Sequence, residues 1–396
     1  MKKQLLTTTA LVAAGVLTVS GAALADKPKL TVGGTTEQIF GVGSNSDAFD
    51  AINGQRTGFD QHSDGEVHFN GSVTLDNGIK IRTRVELESN SGENFAAGQN
   101  SNVVNGAPGT ARGGAGGGSF DNIDEHWMRI SGSFGEVRLG SGDAAAQAMT
   151  TGYLGTWSTN VGQNLAFDTT DWVQNSQTAS TVGRVDLSSD AEHISYFTPR
   201  FAGFQVGISY IPSTEEEVNN QRALAAAGDR DGYSFGLNYV GKFGGVGVGI
   251  AAGYAVVDET AANRTDRDNW GVGGRVDFSG FRIAMSWVER DAQTTSGVTG
   301  AGQQGQETFE VGGRYMFGPN AVSLAYLDAE TQATQASGRN GDEAKVLMAA
   351  YRRTLGPGVF WKVTAIFAEF NDGATGAAAG ASNDGEALTT SILISF

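Results

Sequence analysis

Lys80, Arg82 and Arg84 fall at every second position, a spacing that puts all three on one face of an extended strand. Glu86 and Glu88 continue that face, while Ile79, Ile81, Val85 and Leu87 take the other. Bases and acids arranged this way can attract ions and orient dipolar molecules, or simply form a solvated strand face with ion pairs worth ~0–1 kcal/mol each. Nothing beside them supplies a nucleophile. No G-x-S-x-G, H-E-x-x-H or Walker pattern occurs, and each of those carries its chemistry through a defined local geometry. The chain has no cysteine, which excludes disulfides and Cys-ligated zinc or iron–sulfur sites. His62, His68, His126 and His193 are scattered, and their spacing favours solvated histidines over metal ligands. Asp229/Asp231 and Asp266/Asp268 are fragments of a calcium loop without its twelve-residue ligand order. The expectation is no enzyme, no catalytic residue and no resident metal.

The elements that carry these residues read as strands. From Glu66 to Leu75, Val67, Phe69, Val73 and Leu75 interleave with polar residues; Asp76-Asn77-Gly78 turns the chain, and the pattern resumes from Ile79 to Glu88. Similar strands recur from Leu30–Phe40 to Ala387–Phe396, sixteen in all. Connections alternate between short turns, such as Gly132–Gly135 and Ser279–Gly280, and long polar ones, such as Gly41–Gly65, Ser89–Glu125 and Asp143–Ala191. A soluble sandwich has no reason to gather its long loops at one end, whereas a transmembrane barrel does. Phe204, Val206, Ile208 and Tyr210 share one face, as do Trp270, Val272, Val276 and Phe278. Aromatics at strand ends (Tyr210, Tyr239, Phe278, Trp361, Phe396) suit an interface girdle. In lipid only closure satisfies the edge groups, so the expected fold is an all-β, transmembrane antiparallel barrel of 16 strands.

Composition agrees. Sparse charge (18%) and 36 Phe, Trp and Tyr among 396 residues exclude bulk disorder, and a formal net charge of −16 argues against a nucleic-acid partner. Lys2 and Lys3, a short apolar stretch and Ala23-Leu24-Ala25 predict a cleaved signal peptide at residues 1–25, leaving 26–396 as one barrel domain of net charge −18. No later segment has 18 continuous apolar residues, so no spanning helix is expected.

Three stretches resemble the Gram-negative general porins, sixteen-stranded trimeric channels of the outer membrane. They are Phe134-Gly135-Glu136-Val137-Arg138-Leu139-Gly140, His193-Ile194-Ser195-Tyr196-Phe197-Thr198-Pro199 with Phe201-Ala202-Gly203-Phe204, and the terminal Ser391-Ile392-Leu393-Ile394-Ser395-Phe396. The resemblance implies a homotrimer in Gram-negative outer-membrane lipid and lipopolysaccharide, conducting small hydrophilic solutes and ions by passive diffusion. It implies that residues 143–191 fold inward as a constriction loop, and that the loop containing the Gly106–Gly118 run latches onto a neighbouring subunit. That inward loop carries Asp143, Asp168, Asp171, Asp186 and Asp190, with Arg184 as its one base. Facing it would be Lys80, Arg82, Arg84 and, by parity with Val137 and Leu139, Arg138. Acids on one side and bases on the other would set a transverse field. One position departs from the family: Ser141 stands where a basic residue often follows the fifth strand, so the family's basic cluster does not carry over. Net charge favours mild cation preference. A substrate-selective channel of the same architecture, and a barrel enzyme or adhesin, stay open as alternatives. No cofactor is expected, apart from Ca2+ or Mg2+ that acidic external loops could share with lipopolysaccharide.

Overall fold

The structure is a computed structural model describing residues 27–56, 58–89, 123–175, 177–214, 229–259, 265–292, 305–332, 341–373 and 382–396. The predicted leader and the Gly106–Gly118 run lie outside the described residues. Sixteen strands follow one another: β1 (Lys29–Ser44), β2 (Phe59–Thr74), β3 (Lys80–Glu88), β4 (His126–Gly132), β5 (Gly135–Gly140), β6 (His193–Phe197), β7 (Phe204–Ser213) and β8 (Asp229–Phe243). They continue as β9 (Val246–Glu259), β10 (Arg267–Phe278), β11 (Phe281–Arg290), β12 (Gln306–Phe317), β13 (Asn320–Thr331), β14 (Glu343–Gly356), β15 (Val359–Asn371) and β16 (Asn383–Ser395). Each pairs antiparallel with its neighbours in sequence, and β16 pairs back onto β1, closing the barrel. At the seam the N–H of Gly34 donates to the carbonyl of Phe396 and the N–H of Phe396 to that of Gly34, both at 3.0 Å.

Alternation decides which side faces out. On β7, Phe204, Val206, Ile208 and Tyr210 are exposed while Gly207 and Ser209 are buried. Such a surface is costly in water and suits the hydrocarbon of a bilayer. Aromatic rings mark the two edges of this apolar band. Phe278, Phe281, Tyr315 and Phe317 stack in succession at 5.4, 4.2 and 5.4 Å beside the tight turns. Tyr210 and Tyr233 meet at 5.5 Å near the opposite edge. At the predicted Asp76–Gly78 turn, the Gly78 N–H donates to Leu75 O at 2.8 Å and Gly78 takes φ +80°, a conformation in which glycine has no Cβ to strain.

β1 and β2 are longer than the expected Leu30–Phe40 and Glu66–Leu75. Their pairing runs out to Val42↔Phe59, through Asp60, Gln61, His62, Ser63 and Asp64, whose polarity hides the alternation although the ladder continues. A short helix, α1 (Asp47–Asn53), occupies their connection, capped by the Ser46 hydroxyl accepting from Phe49 N–H.

The segment between β5 and β6 forms α2 (Ala145–Thr150), a 3-10 turn (Thr151–Tyr153), α3 (Gly155–Thr159) and α4 (Leu165–Trp172). It packs against the inward faces of the strands. Hydroxyls of the wall meet its backbone in sequence: Ala145 N–H donates to Ser209 Oγ (2.8 Å), Ala146 to Ser234 (2.8 Å), Gly155 to Ser286 (2.9 Å), Val161 to Ser323 (3.1 Å) and Gln163 to Thr364 (3.1 Å). Neither α2 nor α3 has a capping side chain of its own, so the barrel satisfies helix-end donors that water would otherwise have to meet. Close approach also explains wall glycines: a Cβ on Gly236 would stand 2.5 Å from Ala145 O.

Beneath the far end of this segment the barrel interior is dry. Leu165, Trp172, Val173 and Ala179 form one buried cluster with Leu327, Val346, Met348, Ile366 and Phe370. The lumen-facing side of β13–β15 is therefore not wetted along its length, as strict alternation of wet and greasy faces would have it. Each fully buried Leu, Ile, Val or Met here stabilises the docked segment by roughly 1.5–3 kcal/mol.

Candidate functional site

Three arginines form one continuous cross-strand row on the lumen face: Arg82 of β3 stands opposite Arg129 of β4, and Arg129 opposite Arg138 of β5. Ser72 and Ser195 extend the row at either end. Like charges directly opposite repel, and the chain holds them by stacking: the Arg129 guanidinium lies 3.8 Å from the Trp127 ring centroid and that of Arg138 4.1 Å from Phe197. Arg138 Nε also pairs with Glu136 Oε1 at 2.6 Å. Arg82 and Lys80 are exposed, and with Lys27 and Lys29 they line a cationic cleft near the tight-turn end. Arg84, one row further out, is committed to neighbours: it donates to Asn70 Oδ1 at 3.2 Å and Glu86 Oε2 at 3.1 Å.

On the far wall Arg275, Arg282 and Lys362 serve the inward segment, while Arg314 stands opposite Arg282 in the ladder. Arg275 donates to Gly152 O at 2.5 Å, Arg282 to Ser158 O at 3.2 Å and Lys362 to Gly162 O at 3.3 Å. These carbonyls lie at or near the ends of the 3-10 turn and α3, where unpaired backbone oxygens concentrate negative charge. Lys362 also pairs with Glu37 at 2.7 Å. The arginines of the two walls thus differ in their partners: Arg275 and Arg282 meet carbonyls of the docked segment, whereas Arg82 is exposed and Arg129 and Arg138 stack on rings of their own wall.

The five acids of the segment separate into two groups. Asp143, Asp186 and Asp190 gather near Asp124, Glu125, Arg138 and Arg184. Burial, reinforced by the neighbouring Glu125, pushes Asp143 up to about 6; burial with Asp124 and Glu125 pushes Asp190 up to about 8. Asp186 is a structural acid: it accepts from the N–H groups of Ser188 (2.9 Å) and Ser189 (3.0 Å) and pairs with Arg184 at 3.1 Å. Arg184 is thereby neutralised, its guanidinium 5.7 Å from the Phe167 ring. At the other end, Asp168 accepts from Asn164 N–H at 2.6 Å across the start of α4. Burial, with Asp171 beside it, raises Asp168 to about 7. Asp171 lies 3.7 Å from His62 Nδ1, and that imidazole stacks on Trp172 at 4.4 Å.

The two signs are also separated along the barrel axis. Arg82, Arg129 and Arg138 lie close to the Asn77-Gly78 and Gly132–Gly135 turns, whereas Glu86, Glu88, Glu125, Asp143 and Asp190 lie toward the long-connection rim of the same strands. Sequence parity set Lys80, Arg82, Arg84 and Arg138 on the polar strand face, and in the ladders Arg82 and Arg138 share the row of Arg129. It overlooked Arg129, although Trp127, Arg129 and Ser131 alternate with Met128 and Ile130 as clearly as any stretch.

Comparison with known proteins agrees with this architecture. Residues 7–373 match the family model described as Gram-negative porin. No curated protein sequence matches the chain. Among solved structures, an anion-selective porin from Comamonas acidovorans superposes with a TM-score of 0.60 at 17% identity, covering 93% of this chain and 100% of that one. OmpT, an outer membrane protein of Vibrio cholerae, gives 0.56 at 9% identity over 95% and 100%. A mutant Rh. blastica porin gives 0.54 at 14% over 93% and 100%. At these identities the likeness is one of fold.

Proposed function

This chain belongs to the Gram-negative porin family, and from that premise we propose that it is a general diffusion channel whose ion path runs between the docked segment and the β2–β5 wall. The family and the barrel place it in the outer membrane and point to a channel rather than an enzyme. The observation that carries the reading is the lumen-facing row Arg82–Arg129–Arg138, exposed at Arg82, in a barrel whose wall also docks an inward segment. That path runs past Asp143 and Asp190 of the segment and then Lys80, Arg82 and Arg138 of the wall; Arg84, Arg184 and Asp186 are held in ion pairs of their own, and Asp168 and Asp171 sit beside His62 at the other end of the segment. Small polar solutes and ions pass through it without an energy source. Planar-bilayer recording of the purified protein tests this. Stepwise conductance that scales with salt supports it, and block by micromolar amounts of a single sugar or anion would identify a substrate-selective channel instead.

Charge preference follows from two zones. An acidic outer mouth admits cations, and the basic row nearer the tight turns admits anions. A mild cation preference holds where Asp143 and Asp190 are ionised and fades where they are protonated. The Comamonas acidovorans structure is described as anion-selective, which fits a family in which such zones set the sign locally, rather than net charge.

Two partner surfaces accompany this reading. The outward face of β1–β2 carries Thr36, Gln38, Gln61 and Ser63, with Gln38 Oε1 accepting from Gln61 Nε2 (3.2 Å) and Ser63 Oγ (2.9 Å). Polar groups there suit a subunit contact better than lipid, so we assign this face to the homotrimer interface. Elsewhere on the outer face, Glu289, Glu307 and Glu330 are successive cross-strand neighbours near the long-connection rim, ending at Glu343, which pairs with Lys345 at 2.8 Å. Like charges in such a row favour a counter-cation, and lipopolysaccharide phosphates sharing Ca2+ or Mg2+ would supply it. Native mass measurement with and without chelator tests both surfaces.

A further inference from the structure

Beyond conduction, the wall holds a group with metal-binding chemistry. Glu66 and His68 on β2 and Glu86 on β3 turn their side chains to the lumen, and His68 stands directly opposite Glu86 in the ladder. His68 Nε2 lies 3.0 Å from Glu66 Oε2 and 3.1 Å from Glu86 Oε2. Among the described residues this is the one set of three His, Cys, Asp or Glu side chains whose ligand atoms all fall within 4.8 Å of each other. The dispersed positions of the four histidines gave no sign of it, because the ligands are joined by strand register.

We propose that Glu66, His68 and Glu86 bind a divalent transition-metal ion of the zinc class on the lumen wall. Two ligands about 2.0–2.2 Å from a shared ion lie roughly 3.0–3.5 Å apart in octahedral or tetrahedral coordination. The two His68–carboxylate separations already match that range. One imidazole and two carboxylates suit zinc and its neighbours better than magnesium, which prefers oxygen alone and keeps its waters. Binding replaces a proton on His68 Nε2, so a protonated imidazole releases that proton to solvent, and water completes the shell. Glu86 is 5% exposed, while Glu66 and His68 are half-buried and reach the lumen. An ion has a way in from the lumen and one desolvated anionic anchor.

Arg84 is the competitor. Its NH1 holds the same Oε2 of Glu86 at 3.1 Å, so a metal must displace that guanidinium or share the oxygen with it. This makes the site distinguishable from casual surface binding. Titration calorimetry of the untagged, detergent-solubilised protein with zinc chloride reads the site as heat, independently of whether the barrel conducts. Wild-type protein is expected to show a His68-dependent site, absent in His68→Ala and weakened in Glu66→Gln. Arg84→Ala is expected to bind zinc at least about tenfold more tightly, since it frees Glu86 Oε2 from a charged hydrogen-bond partner and removes a neighbouring positive charge. That gain cannot arise from a misfolded variant. The proposal is overturned if His68→Ala binds zinc as wild type does, or if Arg84→Ala leaves the affinity unchanged or weaker.

Discussion

Arg82 and Arg129 stand directly opposite one another on β3 and β4, both turned to the lumen. Two cations so placed cost the sheet up to about 1 kcal/mol, and Arg82 has an exposed side chain. Stability does not account for such a pair, and the proposed ion path does.

Removing Arg82 should therefore shift charge preference without loss of stability. Arg82→Ala is expected to raise the K+/Cl− permeability ratio, read as the reversal potential across a KCl gradient, and to leave the thermal unfolding temperature equal or higher. Arg84→Ala should move the ratio less, because Glu86 already meets that charge at 3.1 Å. A ratio unchanged by Arg82→Ala would place the residue off the ion path.

Acidity should tune the same ratio. Asp143 and Asp190 are held at about 6 and about 8 by burial and by neighbouring carboxylates. Each loses its proton as pH rises through its value, adding negative charge, so cation preference grows between about pH 5 and 9. Asp190→Asn should erase the upper part of that rise. The linked effect on stability has the opposite sign: raised carboxyl values favour the folded state when protonated, and that advantage is lost as pH climbs from about 4 to about 8. A flat selectivity profile over this range would remove both carboxylates from the path.

Much of this was legible in the residues alone, for a physical reason. Strand alternation survives wherever one face meets hydrocarbon, so all sixteen strands and the inward parity of Arg82, Arg84 and Arg138 could be read. The ends of β1 and β2 could not, since Gln61 and Ser63 stand polar on the outward face between Phe59 and Gly65 and break the alternation. Nor could the route of the inward segment: Leu165, Trp172 and Val173 look like any short apolar run, and their partners Leu327, Met348 and Phe370 lie over 150 residues away. Asp186 was read as a pore acid by type, while its carboxylate is spent on Ser188, Ser189 and Arg184.

Anchoring of the segment offers a further test. Ser209→Ala and Ser234→Ala each remove the acceptor of an N–H at the start of α2, a loss of about 0.5–2 kcal/mol apiece. The double variant is expected to fold as a barrel but to show larger open-channel current noise. Gly236→Val, whose side chain would enter the space of Met149 and Ala145 O, should displace α2 and change the unit conductance. Wild-type noise and conductance in both would mean that the wall hydroxyls do not hold the segment.

Assembly can be probed on the outer face. Gln38→Trp places a bulky ring between Gln61 and Ser63 and is expected to convert trimers to monomers on native gels. Trp270→Phe, on the lipid side, should leave the oligomer intact. A trimer that survives Gln38→Trp would move the interface elsewhere on the barrel.

The seam between Gly34 and Phe396 joins the chain's earliest strand to its very last residue. Until β16 has met β1, two raw edges stay open to any other sheet, so the backbone is protected only once the first and sixteenth strands have paired. A product cut short by even one strand has no partner for β1 and cannot become watertight. The presence of all sixteen strands is thereby checked by geometry before the barrel can close.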